Sequence, residues 1–152
     1  MLNIRFVTCH DPISAAIRAF EYGYWASHVE ALMPDGTLLG AHYDGGVLAR
    51  PHGYDAGTVE KEMYIQIPAT PAQTDTFHNF LHAQVGKPYD TAAIAGIVAQ
   101  RNWRDANSWM CSELQAAALC ECGFFPVHLA TEFNHITPRD LLLIVSGRME
   151  VD

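Results

Sequence analysis

Ser27-His28-Val29-Glu30-Ala31-Leu32-Met33-Pro34-Asp35-Gly36-Thr37-Leu38-Leu39-Gly40-Ala41-His42-Tyr43 reads as a β-hairpin. Its first strand belongs to Trp25–Met33 and its second to Thr37–Tyr43, with Pro34-Asp35-Gly36 between them. Asp-Gly supplies the positive φ that a tight hairpin turn needs. A turn centred on Asp35-Gly36 places His28 opposite a position near Tyr43, so His42 is its neighbour across the hairpin. A slip of one residue would put the two imidazoles on opposite faces. Asp44-Gly45-Gly46 makes a second turn, and Val47–Arg50 continues the meander. Val59–Ile67 is a further strand, and Ile4–Thr8 reads as a short strand ahead of the hairpin.

Helix signals flank this strand-rich stretch. Asp11-Pro12 combines an N-cap with proline at the first helical position, and Ile13, Ile17 and Phe20 then form an apolar face that closes at Gly23. Thr70-Pro71 repeats the signal and opens a helix to about Val85, ended by Gly86-Lys87-Pro88. Tyr89–Gln100 contains an Ala/Ile-rich helix, Asn102–Ser108 is a polar loop, and Ser112–Cys122 is an Ala-rich helix closed by Gly123. Ile136–Val145 is expected to lead through a turn or short helix into a final strand. One helix, a run of strands and then mostly helices is the order of an α+β fold, an antiparallel sheet packed against helices in a single domain over residues 1–152.

The composition narrows the function classes. Apolar residues make up 49% and charged residues 17%, a globular balance that supports one buried core. A formal net charge of −8 without a Lys/Arg cluster argues against nucleic acid or an anionic membrane as partner. The apolar runs Ile94–Ala99 and Leu141–Val145 are too short to span a bilayer, and no signal peptide is visible. Cys9, Cys111, Cys120 and Cys122 form no regular framework and are read as reduced thiols, as in a cytoplasmic compartment.

Cys111 stands where the last Ala-rich helix begins, in Trp109-Met110-Cys111-Ser112-Glu113-Leu114. The positive end of a helix dipole and its unpaired N–H groups stabilise a thiolate, the reactive form of cysteine. The same N–H groups suit a developing oxyanion. The position equally suits a small core thiol beside Ala116–Ala118. A nucleophilic cysteine needs a base, and His28 on its strand is the best placed of eight histidines. His42, on the partner strand, is the neighbouring polar group that could orient it.

The order of these pieces resembles a known family. Gly86-Lys87-Pro88-Tyr89-Asp90, followed by Trp109-Met110-Cys111-Ser112-Glu113-Leu114, resembles the nucleophile segment of NlpC-type papain-like hydrolases. Ser27-His28-Val29, the Asp35-Gly36 turn and Gly40-Ala41-His42 through Gly46-Val47 resemble that family's histidine hairpin. Here the hairpin precedes the cysteine, the order of the circularly permuted YiiX/YebB-like branch, which also resembles the lecithin–retinol acyltransferase group. The resemblance covers residues 13–120. It implies a papain-like fold, with Cys111 as nucleophile, His28 as base and Tyr89 lining the site toward substrate or oxyanion. The third polar residue falls near His42, although the register could select Ala41 instead. The implied activity is cleavage of an amide or ester bond in a small cell-wall peptide or lipid-like acyl substrate. An acyltransferase, or a binding module that keeps the cleft, is the alternative.

Other features carry less. His78 and His82 lie four apart on a helix, but no H-E-x-x-H pattern is present, so no metal or other cofactor is expected. Cys120-Glu121-Cys122 lacks a second ligand pair. Cys9-His10 are adjacent residues, which rarely aim at one another in a strand. Trp103 and Trp109 bracket the approach to Cys111, as core anchors or as a substrate wall.

Overall fold

The computed structural model describes residues 1–92, 107–125, 129 and 131–147. Five strands form one antiparallel sheet: β1 (Leu2–Cys9), β2 (His28–Leu32), β3 (Leu38–His42), β4 (Gly46–Arg50) and β5 (Val59–Ile67), in the order β4-β3-β2-β1-β5. Four helices accompany it: α1 (Pro12–Phe20), α2 (Pro71–Gln84), α3 (Cys111–Glu121) and α4 (Pro138–Ser146). The α+β class and the antiparallel sheet agree with the sequence reading. Most of the expected helix over Tyr89–Gln100 and of the loop over Asn102–Ser108, Trp103 included, lies outside the described residues.

The short turn or helix expected over Ile136–Val145 is α4, capped by Thr137, whose side chain accepts the Asp140 N–H at 3.2 Å while Pro138 occupies the first turn; residues 148–152, where a final strand would follow, lie outside the described residues. One expectation needs correction. The hairpin register differs by one residue. Ala31 faces Leu39 and Leu32 faces Leu38, so His28 faces His42 and not Tyr43. Their rings stand 4.8 Å apart on one face of the sheet.

Strand alternation sorts the residues of β2. Val29 and Ala31 join Ile4, Phe6, Leu39, Ala41 and Ile65 in the main core. His28 and Glu30 point to the other face, as does Arg5, which faces Glu30 from β1. The helices cover the apolar side. α3 is buried all round from Cys111 to Leu119, as an Ala-rich helix between a sheet and other helices must be. Gln115 on α3 donates from Nε2 to the Leu39 carbonyl at 3.0 Å and pins the helix to β3.

The start of β2 is held with particular care. Ser27 N–H donates to the Val7 carbonyl at 3.1 Å, and the Ser27 hydroxyl meets the Thr8 hydroxyl at 3.0 Å, which fixes the chain where His28 begins. β4 is tied to the segment before Tyr89: Val47 N–H donates to the Lys87 carbonyl at 2.8 Å, and Gly86 N–H donates to the Val47 carbonyl at 2.9 Å. Tyr89 then pairs with Trp109 in a short parallel bridge, placing Tyr89 beside the start of α3.

Gly46 sits at the junction of these ties. Its φ is +72°, and a Cβ there would run into the Lys87 carbonyl oxygen. Gly46→Ala is therefore expected to lower stability by about 2–3 kcal/mol. A urea unfolding curve checks this, and an unchanged midpoint would contradict the placement of residues 86–89 against β4.

Candidate functional site

The site begins with charge. Arg5, only 2% exposed, faces three carboxylates. Its Nη1 donates to Glu30 Oε1 at 2.7 Å and to Asp55 Oδ2 at 2.9 Å, its Nη2 to Asp55 Oδ1 at 3.2 Å, and its Nε to Glu62 Oε2 at 2.7 Å. One guanidinium against three acids leaves an excess of negative charge. Glu30 is 0% exposed, and a buried carboxylate needs a cationic partner. Its second oxygen, Oε2, lies 3.6 Å from His28 Nε2 and 3.6 Å from His42 Nε2, while the Tyr54 hydroxyl donates to it at 3.4 Å.

The two imidazoles divide the work. Burial alone would lower the pKa of His28, but its contacts with the Cys111 thiol and the Glu30 carboxylate raise it to about 10. His42 moves the other way, to about 3, because it is buried and stands beside a positive His28. Burial would raise Glu30, yet its interactions with His28, His42 and Arg5 hold it down at about 2. Across the neutral range the group is thus a cationic His28, an anionic Glu30 and a neutral His42. With Nε2 turned to Glu30, Nδ1 is the nitrogen that His28 has left for the thiol.

Cys111 is the first residue of α3, in the turn whose N–H groups lie outside the helical ladder. Met110 ahead of it supplies no side-chain cap, and Glu113 accepts the Met110 N–H at 3.3 Å. The half-buried Tyr89 lies against the Cys111 thiol, and burial together with that thiol raises its phenol pKa. The structure therefore brings Cys111, His28, His42 and Tyr89 into one cluster.

Two adjoining cavities meet there. One, of about 250 Å³, is the more polar of the two and is bordered by His28, His42, Asp44, Tyr54 and Asp55. The other, of about 320 Å³, is apolar, bordered by Ile13, Ile17, Phe20, Met110 and Cys111. Ile13, Ile17, Tyr43 and Tyr89 border both. Cys111 itself is 1% exposed, so its approach is through the apolar cleft.

Glu30 is the residue that sequence reasoning missed. Its signal was the His-x-Glu spacing, which puts both side chains on one face of a strand, together with Arg5 interrupting an otherwise apolar strand. His28, Glu30 and His42 are also the group that could hold a metal ion, with one ligand atom from each lying within 4.8 Å of the others. The remaining candidates stand apart. Cys9 turns its thiol to Asp55, and His10 is exposed beside Glu60. Trp109 is a core anchor that donates from Nε1 to Gln84 Oε1 at 3.1 Å and packs edge-on against Phe80. All four cysteines are free thiols, and among the described residues no helix is long and apolar enough to cross a membrane. No protein family model matches the sequence, and no curated protein matches it.

The depressed pKa of Glu30 has a consequence for stability. Its contribution is full above the ordinary value of 4.5 and is lost as pH falls toward about 2. Glu30→Gln should destabilise the fold at pH 7 by about 3 kcal/mol, and the gap to the native chain should shrink between pH 4.5 and 2. Chemical unfolding at several pH values measures it; a constant gap would mean that Glu30 is not held as the anion.

Proposed function

We propose that the chain is a cysteine hydrolase of the circularly permuted NlpC-like, papain-fold type, acting on an amide or ester bond. The observation that carries this reading is the alignment of Cys111, His28 and Glu30: a thiol at a helix N-terminus, an imidazole beside it, and a buried carboxylate behind the imidazole.

Each residue then has a role. His28 is the imidazolium of a Cys111–His28 ion pair, holding on Nδ1 the proton the thiol gives up, and Glu30 stabilises that cation from the Nε2 side. The thiolate attacks the carbonyl carbon, and the carbonyl oxygen becomes an oxyanion facing the Cys111 N–H and the Tyr89 hydroxyl. His28 returns its proton to the leaving amine or alcohol as the C–N or C–O bond breaks, giving a thioester. Water then gives a proton to His28 and its hydroxide adds to the thioester, releasing the acid and leaving the Cys111 thiolate beside the His28 imidazolium. His42, neutral and packed against His28, positions the ring and does not carry the proton.

The cleft suggests which part of the substrate lies where. The apolar cavity at Cys111 suits an acyl chain or an apolar side chain, and the polar cavity at His28 suits the leaving group. The polar cavity is also larger than a water molecule needs. That favours, as a second reading, transfer of the acyl group to a hydroxyl or amine acceptor, which product analysis with added alcohol would reveal.

Cys111→Ala should keep the fold, since alanine suits a small buried position in a helix, and should reduce hydrolysis of a p-nitrophenyl acyl ester at least about 10³-fold. Full activity in that variant would refute the assignment. Iodoacetamide at pH 7, read by mass spectrometry, should modify Cys111 before Cys9 and Cys122, whose thiols burial keeps protonated. His28→Ala should remove the advantage of Cys111. Equal labelling before and after that substitution would leave Cys111 as an ordinary core thiol.

A further inference from the structure

The cluster around Glu30 holds two nitrogen atoms that make no hydrogen bond. His28 Nε2 and His42 Nε2 are both buried, and neither has a hydrogen-bond partner among the described residues. Both are directed at the same carboxylate oxygen, each at 3.6 Å. That is slightly too long for a hydrogen bond. Two imidazole nitrogens and one carboxylate oxygen are a common donor set for zinc, which leaves a fourth position open. In a tetrahedral site with bonds near 2.1 Å, donors stand about 3.4 Å apart, so two edges of the triangle are already close to that spacing.

We propose that His28 Nε2, Glu30 Oε2 and His42 Nε2 form a binding site for a divalent metal ion of the zinc class, and that filling it stops turnover at Cys111. The second half rests on Cys111 being the nucleophile; the first half does not.

The surroundings suit a cation. Arg5 bonds Glu30 through Oε1 and spends its remaining donors on Asp55 and Glu62, which leaves Glu30 Oε2 free of it. The Tyr54 hydroxyl donates to the same Oε2 at 3.4 Å, one contact on an oxygen with lone pairs to spare. His28 and His42 border the polar cavity, which gives the ion a route in and its fourth ligand, a water, a place to sit. Asp44 and Asp55 border the same cavity and add negative charge, while Arg50 opposes it. The hairpin holds both rings from rigid strands, so the site needs only small ring rotations to close.

The inhibition follows from the proton balance. Binding displaces one proton from His28 Nε2 to solvent and puts the metal there. Nδ1 keeps its hydrogen, facing the thiol. In acyl transfer Nδ1 must lose that hydrogen to the leaving group and later regain one from water. With the metal on Nε2, losing it would leave an imidazolate anion. Both proton steps therefore stop, whereas alkylation of Cys111, which needs no proton from His28, continues.

The test uses Co²⁺ as a spectroscopic probe on chelator-treated protein. A visible spectrum of four-coordinate cobalt, stoichiometric with the chain and displaced by Zn²⁺, is expected. Glu30→Gln and His42→Asn should each weaken binding at least about tenfold. Cys111→Ala and the His78→Ala/His82→Ala double variant should bind as the native chain does. Absence of the cobalt spectrum overturns the site. So does a spectrum lost on replacing His78 and His82 but kept in Glu30→Gln and His42→Asn. Zn²⁺ should abolish ester turnover, EDTA should restore it, and iodoacetamide labelling of Cys111 should persist. Binding without loss of turnover overturns the inhibition. Binding with the expected variant pattern in a chain that never turns over supports the metal site and refutes the nucleophile.

Discussion

The structure depends on a carboxylate that has no exposed surface. Glu30 sits on the second strand of a five-stranded sheet with water excluded, a position that costs several kcal/mol unless cations neutralise it. Arg5 holds one of its oxygens and His28 faces the other. That pairing constrains the backbone. Arg5 faces Glu30 across β1 and β2, and a Cβ on Gly40 in β3 would come within 2.9 Å of the Glu30 Cβ. A slip of one residue between any two of these strands would send the acid into the apolar core and bring Val29 or Ala31 out. The charge cluster therefore fixes the register that puts His28 and His42 side by side.

Cys111 reaches this cluster from a distant part of the chain, and several attachments bring it there. Residues 86 and 87 bond to Val47 near the start of β4, one pair along the ladder from His42 and Gly46. Asp90 N–H donates to the Trp109 carbonyl at 3.0 Å and Trp109 N–H to the Pro88 carbonyl at 3.1 Å, which joins that segment to the start of α3. Gln115, one turn further on, bonds to the Leu39 carbonyl. α3 is thereby tied to the hairpin at both ends of its first turn, and its N-terminus cannot move far from His28. Positioning of this kind, on strands and a helix and not on loops, is what proton transfer between two side chains requires.

The local signals in the chain were strong where a single interaction makes the element. Asp35-Gly36 marked the hairpin turn, and the Asp11-Pro12 and Thr70-Pro71 caps marked two helix starts that the structure reproduces. Thr137-Pro138 carries the same signal, and the spacing of the apolar run behind it is helical: Leu141, Leu142 and Val145 are buried and Leu143 is exposed. That Cys111, His28 and His42 could meet was legible because helix start, strand and turn were, whereas Tyr89 came only from the family resemblance. Glu30 was not legible, since an acid in a strand ordinarily faces water. Its burial comes from Tyr54 and Asp55, which follow β4 and close over it, and from Arg5 on the neighbouring β1. No local pattern records that closure. The hairpin register failed for a related reason, because turn geometry predicts it only to within a residue and the Arg5–Glu30 contact decides it.

The same field that raises the pKa of His28 also makes the triangle attractive to a cation. The Cys111 thiol and the buried Glu30 carboxylate together keep a proton on His28 far above the ordinary range. A divalent ion placed between the two rings would satisfy that charge more fully and would use the neutral His42 as it stands. Proton and metal therefore compete for one negative charge at one oxygen. A proton can be passed to a leaving group and recovered from water, whereas a bound ion cannot. On the proposed hydrolase reading, the cluster does acid–base chemistry only while protons occupy it.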